Sequence, residues 1–494
     1  MILIRVFLLN ISYHVSLKIY HLGVFGDLEL SFSVWNLLFL ILVLIIRCAV
    51  LFFSYSYLHR IRITNFIFLY LSFVLRIAWL ILNSNFYWIM LGWDGLGVVS
   101  FLLIIYYRNL ERISNGFFTL FQNRLGDLFF VLFLVGILNF SISVSVVKWG
   151  LIFLILGSTV KRAQYPFNAW LLAAISAPTP ISSLVHSSTL VVAGVYILLQ
   201  YRYCLVDFLR TLKILRFLTL FFRSWGLFNE LDIKKLIAFS TMSHVSLMIF
   251  LLRQKLFKIA YFHLNIHAIF KSLIFIAFGF VILASFHAQD KRLVSYVNIN
   301  PQLIIIYYFS CMCLAGLPFL TAFFSKDFII EKIIENSNRF IDVFSLIIFL
   351  GIRIYYRLKL LKLNLPGFSQ ILCETQALGL IRVFIIILIN ICLVNLYVRL
   401  VFRVSLELSS FKFFIYIFIL IFLILSLCFN LNFKVVRYTK TLTILDLKFL
   451  NTYKVDVFMY FTIFDIVKLI SSLSQIKLII LRNWWVIILL VYFI

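Results

Sequence analysis

The chain has 494 residues, of which 64% are hydrophobic, 18% aromatic and only 13% charged, with a mean hydropathy of +1.10. A soluble domain carries roughly 25% charged residues and about half apolar ones, so a soluble globular or disordered protein is excluded. Seven cysteines are too sparse, and odd in number, for a secreted disulfide scaffold, and the net charge of +26 lies mostly in short loops between apolar blocks, a distribution that fits positive-inside bias and anionic lipid rather than nucleic acid.

Apolar blocks of about 20 residues, the length that crosses some 30 Å of hydrocarbon, recur along the chain. They predict transmembrane helices at 34–54, 64–82, 86–107, 117–138, 150–171, 181–200, 213–229, 233–252, 259–284, 303–330, 341–356, 377–398, 413–430 and 481–494, with one more short span allowed within 1–33. The opening MILIRVFLLN lacks the basic leader and small-residue cleavage site of a signal peptide. Residues 434–478 carry Asp446, Lys448, Lys454, Asp456, Asp465, Lys468 and Lys477 among Leu, Ile and Phe. A segment so charged is expected to lie along the membrane surface as an amphipathic helix. The expected fold is all-α: a polytopic transmembrane bundle of 14–15 spans with an N-terminal segment 1–33, a core 34–430, a lateral amphipathic helix 431–480 and a C-terminal anchor 481–494. High Phe (57) and Tyr (24) beside little Gly (17) and Pro (6) are what an AT-rich genome, such as a small organelle genome, produces.

Three of the six prolines, Pro166, Pro178 and Pro180, cluster, and Pro318 lies inside the 303–330 block. Proline removes a backbone hydrogen bond, which a span tolerates only where protein or water meets the freed carbonyls. Lys161 precedes the first interruption and Lys326 follows the second. Two broken helices, each with an ionisable group, point to a transporter built from inverted repeats. Harmless kinks with snorkelling lysines are the alternative.

The other ionisable residues within apolar runs are Asp94, Asp127, His186, His263, His267 and Lys271. A charge at mid-bilayer costs roughly 2.5–3.5 kcal/mol on insertion scales, so each is a functional candidate. His263, His267 and Lys271 are spaced i, i+4, i+8, which lines them along one helical face where a proton could pass between them. Hydrogen-bonded packing histidines, or haem or metal ligation, are the alternatives. Bis-histidine haem needs facing histidines on separate helices, for which only His186 and His244 lie mid-span, and Cys311 and Cys313 lack CxxC spacing, so no metal is expected. Arg47 and Arg76 also fall inside predicted spans and read as snorkelling side chains or misplaced boundaries.

GWDGLGVVSFLLIIYY from residue 92, NRLGD at 123–127, KRAQYPFNAWLLAAISAPTPISSLVHSSTLVVAGVY at 161–196, DIKKLIAFSTMSH from 232, HLNIHAIFK at 263–271 and GLPFLTAFFSKDFIIE at 316–331 resemble, in order, the chain 5 family of mitochondrial NADH–ubiquinone oxidoreductases. The resemblance implies an antiporter-like membrane-arm subunit of the mitochondrial inner membrane, which couples quinone reduction in other subunits to proton movement. It implies no cofactor in this chain, with NADH, FMN, iron–sulfur clusters and ubiquinone held elsewhere. Its partners would be other membrane-arm subunits, especially neighbouring antiporter-like chains, and lipids including cardiolipin. Carried over by motif, Asp94 stands where the family usually has glutamate, paired with Lys161, and Asp127 is the acidic NRLGD position. His186 follows in the next span, His263, His267 and Lys271 form a central relay, and Lys326 with Asp327 end the second broken helix. Asp94 shortens the carboxylate arm by one methylene, Arg162 replaces a small polar residue and sets two cations side by side, His244 stands where glutamine is common, and Ala322 where glycine is. A subunit of a multisubunit cation/proton antiporter, or a structural subunit with a degenerate channel, are the competing readings.

Overall fold

A computed structural model describes residues 15–21, 27–58, 63–107, 109–138, 144–188, 190–202 and 232–285, together with Thr219, Glu230, Gln289 and short stretches between 306 and 329. The expected spans 341–356, 377–398 and 413–430, most of 213–229 and 303–330, the lateral helix 431–480 and the anchor 481–494 lie outside the described residues.

Where the sequence allows a short span before residue 34, the described residues form an antiparallel hairpin of β1 (Val15–His21) and β2 (Asp27–Phe32). VSLKIYH and DLELSF alternate apolar and polar residues with the period of a strand. Lys18 pairs with Glu29 at 3.1 Å across the hairpin, and Ser31 Oγ donates to the Leu82 carbonyl at 3.1 Å.

Ten helices follow among the described residues: α1 (Val34–Tyr57), α2 (Ile63–Leu82), α3 (Phe86–Ile104), α4 (Leu110–Leu138), α5 (Val144–Lys161), α6 (Ala169–Ala174), α7 (Thr179–Ser182), α8 (Leu190–Gln200), α9 (Ile233–Arg253) and α10 (Phe257–Ala284). Seven helical runs are long and apolar enough to cross a membrane: α1, α2, α3 with its following turn, α4, the run Thr179–Gln200, α9 and α10. The chain is thus a helical, multi-pass membrane protein. Caps sit where the sequence supplies short polar residues: Ser33 Oγ accepts the Asn36 N–H at 3.2 Å and Asn85 Oδ1 accepts that of Tyr87 at 3.3 Å. Long polar ties join the ends, with Tyr196 Oη donating to Asn36 Oδ1 at 2.7 Å and Tyr261 Oη to the Trp35 carbonyl at 2.6 Å.

The helices differ in what surrounds them. α9 and α10 are buried on nearly every side. α2 and α4 turn large apolar side chains outward, among them Phe68 (73% exposed), Leu75 (70%) and Leu128 (64%), as a face toward lipid or a neighbouring chain does.

The block 150–171 is not one crossing. α5 stops at Lys161, and the chain leaves it through Ala163 in the left-handed region (φ 50°). Ala163 N–H then bonds to Val160 O at 3.0 Å and Gln164 N–H to Thr159 O at 3.1 Å, the pair of contacts of a Schellman cap. The Val160 carbonyl also accepts Trp170 Nε1 at 2.8 Å. The break is therefore wired shut by the chain itself, as a proline-interrupted span requires. Pro178 precedes α7, and its carbonyl accepts the N–H groups of Ile181 and Ser182 at 3.0 and 3.1 Å. α7 then widens into a π-helical turn, Ser183–Ser188, ahead of α8.

Candidate functional site

Two lines of polar groups run through this apolar bundle. The first is built where α3, α4 and the end of α5 meet. α4 and α5 approach closely because both are glycine at the crossing: a Cβ on Gly157 would lie 2.9 Å from Phe130 Cδ1 and 3.0 Å from the Gly126 carbonyl. That approach brings Asp127 Oδ1 to 3.8 Å from Lys161 Nζ. The ammonium also donates to the Trp93 carbonyl at 2.6 Å and sits 4.0 Å from the centroid of the Trp93 ring. Lys161 is 1% exposed at its side chain and Asp127 11%.

Arg124 continues the line outward. Its Nη1 donates to both Asp94 oxygens at 2.9 Å and lies 3.6 Å from Asp127 Oδ2. The expected Asp94–Lys161 pair is replaced in the structure by the chain Asp94–Arg124–Asp127–Lys161, two carboxylates alternating with two cations. The cause is positional. Arg124 and Asp127 are i, i+3 on α4, so both share the face turned to α3, and the guanidinium takes Asp94 first. Arg162 does not stand beside Lys161 as a second cation of the site: its guanidinium turns back to Ser158, bonding the carbonyl at 2.9 Å and Oγ at 2.7 Å. Its stem lies over Gly194, where a Cβ would be 2.7 Å from Arg162 Cγ.

The second line lies between α9 and α10. Lys271 Nζ donates to Ser240 Oγ and, at 3.4 Å, to the Ile237 carbonyl. One and two turns up α10, His267 and His263 face His244 of α9, whose ring centroid is 5.3 and 5.4 Å from theirs. His244 Nδ1 is 3.2 Å from His263 Nε2, and His263 Nδ1 is 3.0 Å from Ser325 Oγ. Ser325 precedes Lys326, which is buried at 7% exposure. The i, i+4, i+8 spacing thus does place His263, His267 and Lys271 on one face, and that face is turned to α9. Lys234, in the first turn of α9, is also buried and donates to the Ala177 carbonyl at 3.1 Å, tying α9 to the segment just before Pro178.

Pro166, Pro178 and Pro180 sit in the broken segment as expected, and His186 lies in the π-helical turn, its side chain outside what the structure describes. Asp327 and Pro318 lie outside the described residues. Arg47 does not snorkel: it is 2% exposed, with its guanidinium carbon 4.9 Å from the Phe73 ring centroid. Arg76 packs across Gly95 of α3. Sequence reasoning missed Arg124, Lys234, Ser240 and Ser325. For Arg124 a signal existed, since a basic residue three before an acidic one on a helix is a pairing pattern. Among the described residues no group of three or more His, Cys, Asp or Glu is arranged to hold a metal ion.

A membrane-embedded helical bundle with a proline-broken segment and charges threaded through its interior is an antiporter-like architecture. Residues 83–351 match the family model described as NADH:quinone oxidoreductase/Mrp antiporter, TM. The chain belongs to this family. Curated relatives include NADH-ubiquinone oxidoreductase chain 5 of Anopheles quadrimaculatus, 36% identical over 68% of this chain and 61% of the relative. The protein of the same name from Anopheles arabiensis is 35% identical over 70% of this chain and 93% of the relative. The matched segment spans only 60–66% of the length of the first such relatives. A chain in the structure of the Mrp complex from a Dietzia species shares the fold, with a TM-score of 0.72 at 18% identity over 97% of this chain and 59% of that one.

Proposed function

We propose that the chain is a proton-translocating membrane-arm subunit of an NADH:ubiquinone oxidoreductase of the mitochondrial inner membrane. The observation that carries the reading is the alternating chain Asp94–Arg124–Asp127–Lys161, set in an apolar bundle of this family beside the buried Lys271–His267–His263 line. The chain 5 relatives support the same assignment. In this reading NADH, FMN, iron–sulfur clusters and ubiquinone are held by other subunits. The partners are neighbouring antiporter-like chains, and lipids, cardiolipin among them, cover the apolar faces of α2 and α4.

The working step is an exchange of Asp127 between two cations. At 3.8 Å and an effective dielectric of about 20, Asp127 and Lys161 attract by about 4 kcal/mol. An ammonium parted from its carboxylate releases its proton more readily. When Arg124 draws Asp127 away, Lys161 gives up a proton, which moves through His186 toward Lys271, His267 and His263 and leaves by Lys326 and Asp327. When Asp127 returns, Lys161 is reloaded. Moving one charge against about 150 mV costs roughly 3.5 kcal/mol, within what one such exchange supplies.

Lys161→Ala is expected to abolish proton pumping in an assembled complex reconstituted in liposomes, followed with a pH-sensitive dye during NADH oxidation. Pumping retained at the native proton-to-electron ratio overturns the proposal. Proton movement driven by a sodium gradient without NADH points instead to a cation/proton antiporter, a reading with which the shared fold of the Mrp chain is compatible.

A further inference from the structure

Among the described residues, the group that meets the Lys161 ammonium most closely carries no charge. Nζ donates to the Trp93 carbonyl at 2.6 Å and stands 4.0 Å from the centroid of the Trp93 ring, while Asp127 Oδ1 is 3.8 Å away. A carbonyl has two lone pairs, so one in a helix can accept a second donor. Gly97, one turn further along α3, leaves the approach open, since even a Cβ there would lie 4.0 Å from Nζ. The indole is fully buried and backed by Phe130, whose ring meets it at 4.7 Å and 66°. Its Nε1 makes no hydrogen bond among the described residues. A buried N–H left without a partner is costly, and phenylalanine fills apolar space without one. What indole offers here beyond phenyl is the strongest π face for a cation.

We infer that Trp93 is a positioning residue for Lys161, a latch that holds the lysine on α3 only while it is protonated. The inference rests on the proton-translocating reading above and adds to it a device that ties the place of the lysine to its charge. The charged groups that face Lys161 are Asp127 and Arg124 of α4 and, through Arg124, Asp94 of α3. Of these, Asp127 is the one that moves in the exchange. A ring quadrupole attracts an ammonium and not a neutral amine. As Arg124 draws Asp127 away, the ring and the carbonyl of Trp93 keep the charged head where it is, so it does not follow the departing carboxylate. Once Nζ has passed its proton on, the attraction of the ring ends, and a neutral amine is a weaker donor to the carbonyl than an ammonium. The neutral head then leaves α3 and is drawn back when it is reloaded. Charged and neutral lysine thus occupy different places, which keeps a released proton from returning by the way it left.

The test uses the assembled complex in liposomes, with Trp93 replaced at that site alone by tryptophans carrying successively more ring fluorines. Each fluorine withdraws electron density from the π face and hardly alters the shape of the ring. The readouts are the rate of pumping and the protons moved per NADH oxidised. A desolvated cation–π contact amounts to about thirtyfold in an equilibrium, so pumping is expected to fall stepwise along the series, by about tenfold at full fluorination. NADH oxidation falls less, so the proton-to-electron ratio drops with it. A ratio and a pumping rate that stay the same along the series overturn the latch, because a ring that only fills space is blind to fluorine. If the fluorinated chains do not assemble, Trp93→Phe, which keeps a weaker π face, is compared with Trp93→Leu, which has none. The phenylalanine variant is expected to keep the higher ratio, and equal ratios overturn the latch while leaving the pump intact. An unsubstituted complex that oxidises NADH without pumping overturns both the latch and the reading beneath it.

Discussion

Replacing Asp94 with asparagine probes the charge chain at the point where sequence and structure part. The substitution removes the charge that anchors Arg124 at 2.9 Å while keeping side-chain volume. Asp127, 3.6 Å away, is then the carboxylate left to the guanidinium. The Asp94–Arg124 pair is itself a third or more exposed at both side chains, so its direct worth is at most about 1 kcal/mol. The consequence falls on Lys161, which shares Asp127 with the freed arginine at 3.8 Å. If Arg124 takes half of an attraction of about 4 kcal/mol, Lys161 loses about 2 kcal/mol, or roughly thirtyfold in the equilibrium that the exchange depends on. Proton pumping by Asp94→Asn complexes in liposomes is therefore expected to fall about thirtyfold with assembly intact on native gels. Adding Arg124→Gln removes the competitor but also the second cation that the exchange needs, so the double variant should pump no faster than Asp94→Asn alone. Pumping by the double variant restored toward the unsubstituted level refutes the exchange. It would leave Asp127 acting on Lys161 with no part for Arg124 beyond competition.

The helices were the legible part of the chain because their cause is local. Twenty-residue apolar blocks place α1, α2, α3, α9 and α10 within three residues of their ends, while α4 starts seven residues before its apolar block, where polar Glu111 and Arg112 open the helix. The hairpin at 15–32 shows a strand period in the same composition, but a span was allowed there because Leu, Ile and Phe suit a helix and a strand equally. The end of the fifth span was harder to see. Lys161 and Pro166 announced a break, but the turn is set by a left-handed Ala163 and the Trp170 bond to Val160, neither of which has a spacing signature. In the site, the residues on α10 could be placed because i, i+4, i+8 is a property of one helix. Who faces them is a property of two. Hence Ser240 and Ser325 were invisible, His244 was only a mid-span candidate, and the sequence did not show that Asp127 stands nearer Lys161 than Asp94 does. Buried pairing is decided by the crossing at Gly126 and Gly157, a contact between helices that no single segment encodes.

Two further substitutions test that packing and the one cation it leaves aside. Gly157→Ala should force apart α4 and α5, since its Cβ would meet Phe130 at 2.9 Å and the Gly126 carbonyl at 3.0 Å. An overpacking cost of about 1–3 kcal/mol should lower the thermal midpoint and slow pumping, whereas Gly150→Ala, whose nearest new contact is 3.6 Å, should do neither. Equal behaviour of the two alanines would remove the close approach as the device that presents Asp127 to Lys161. Arg47 poses the opposite question. It stands midway along α1, where among the described residues its three guanidinium nitrogens make no hydrogen bond and its neighbours Tyr70 and Phe73 supply rings at 5.9 and 4.9 Å. A desolvated cation–π contact returns about 2 kcal/mol, less than the several kcal/mol that stripping a cation of water costs. Methionine follows the same unbranched path without a charge. Arg47→Met should therefore leave the complex as stable or raise its stability by about 1–4 kcal/mol, read as a higher thermal midpoint, with pumping unchanged because neither ring belongs to the charged lines. A variant that assembles normally yet pumps poorly would show that the positive charge itself is used, and that α1 takes part in the proton path.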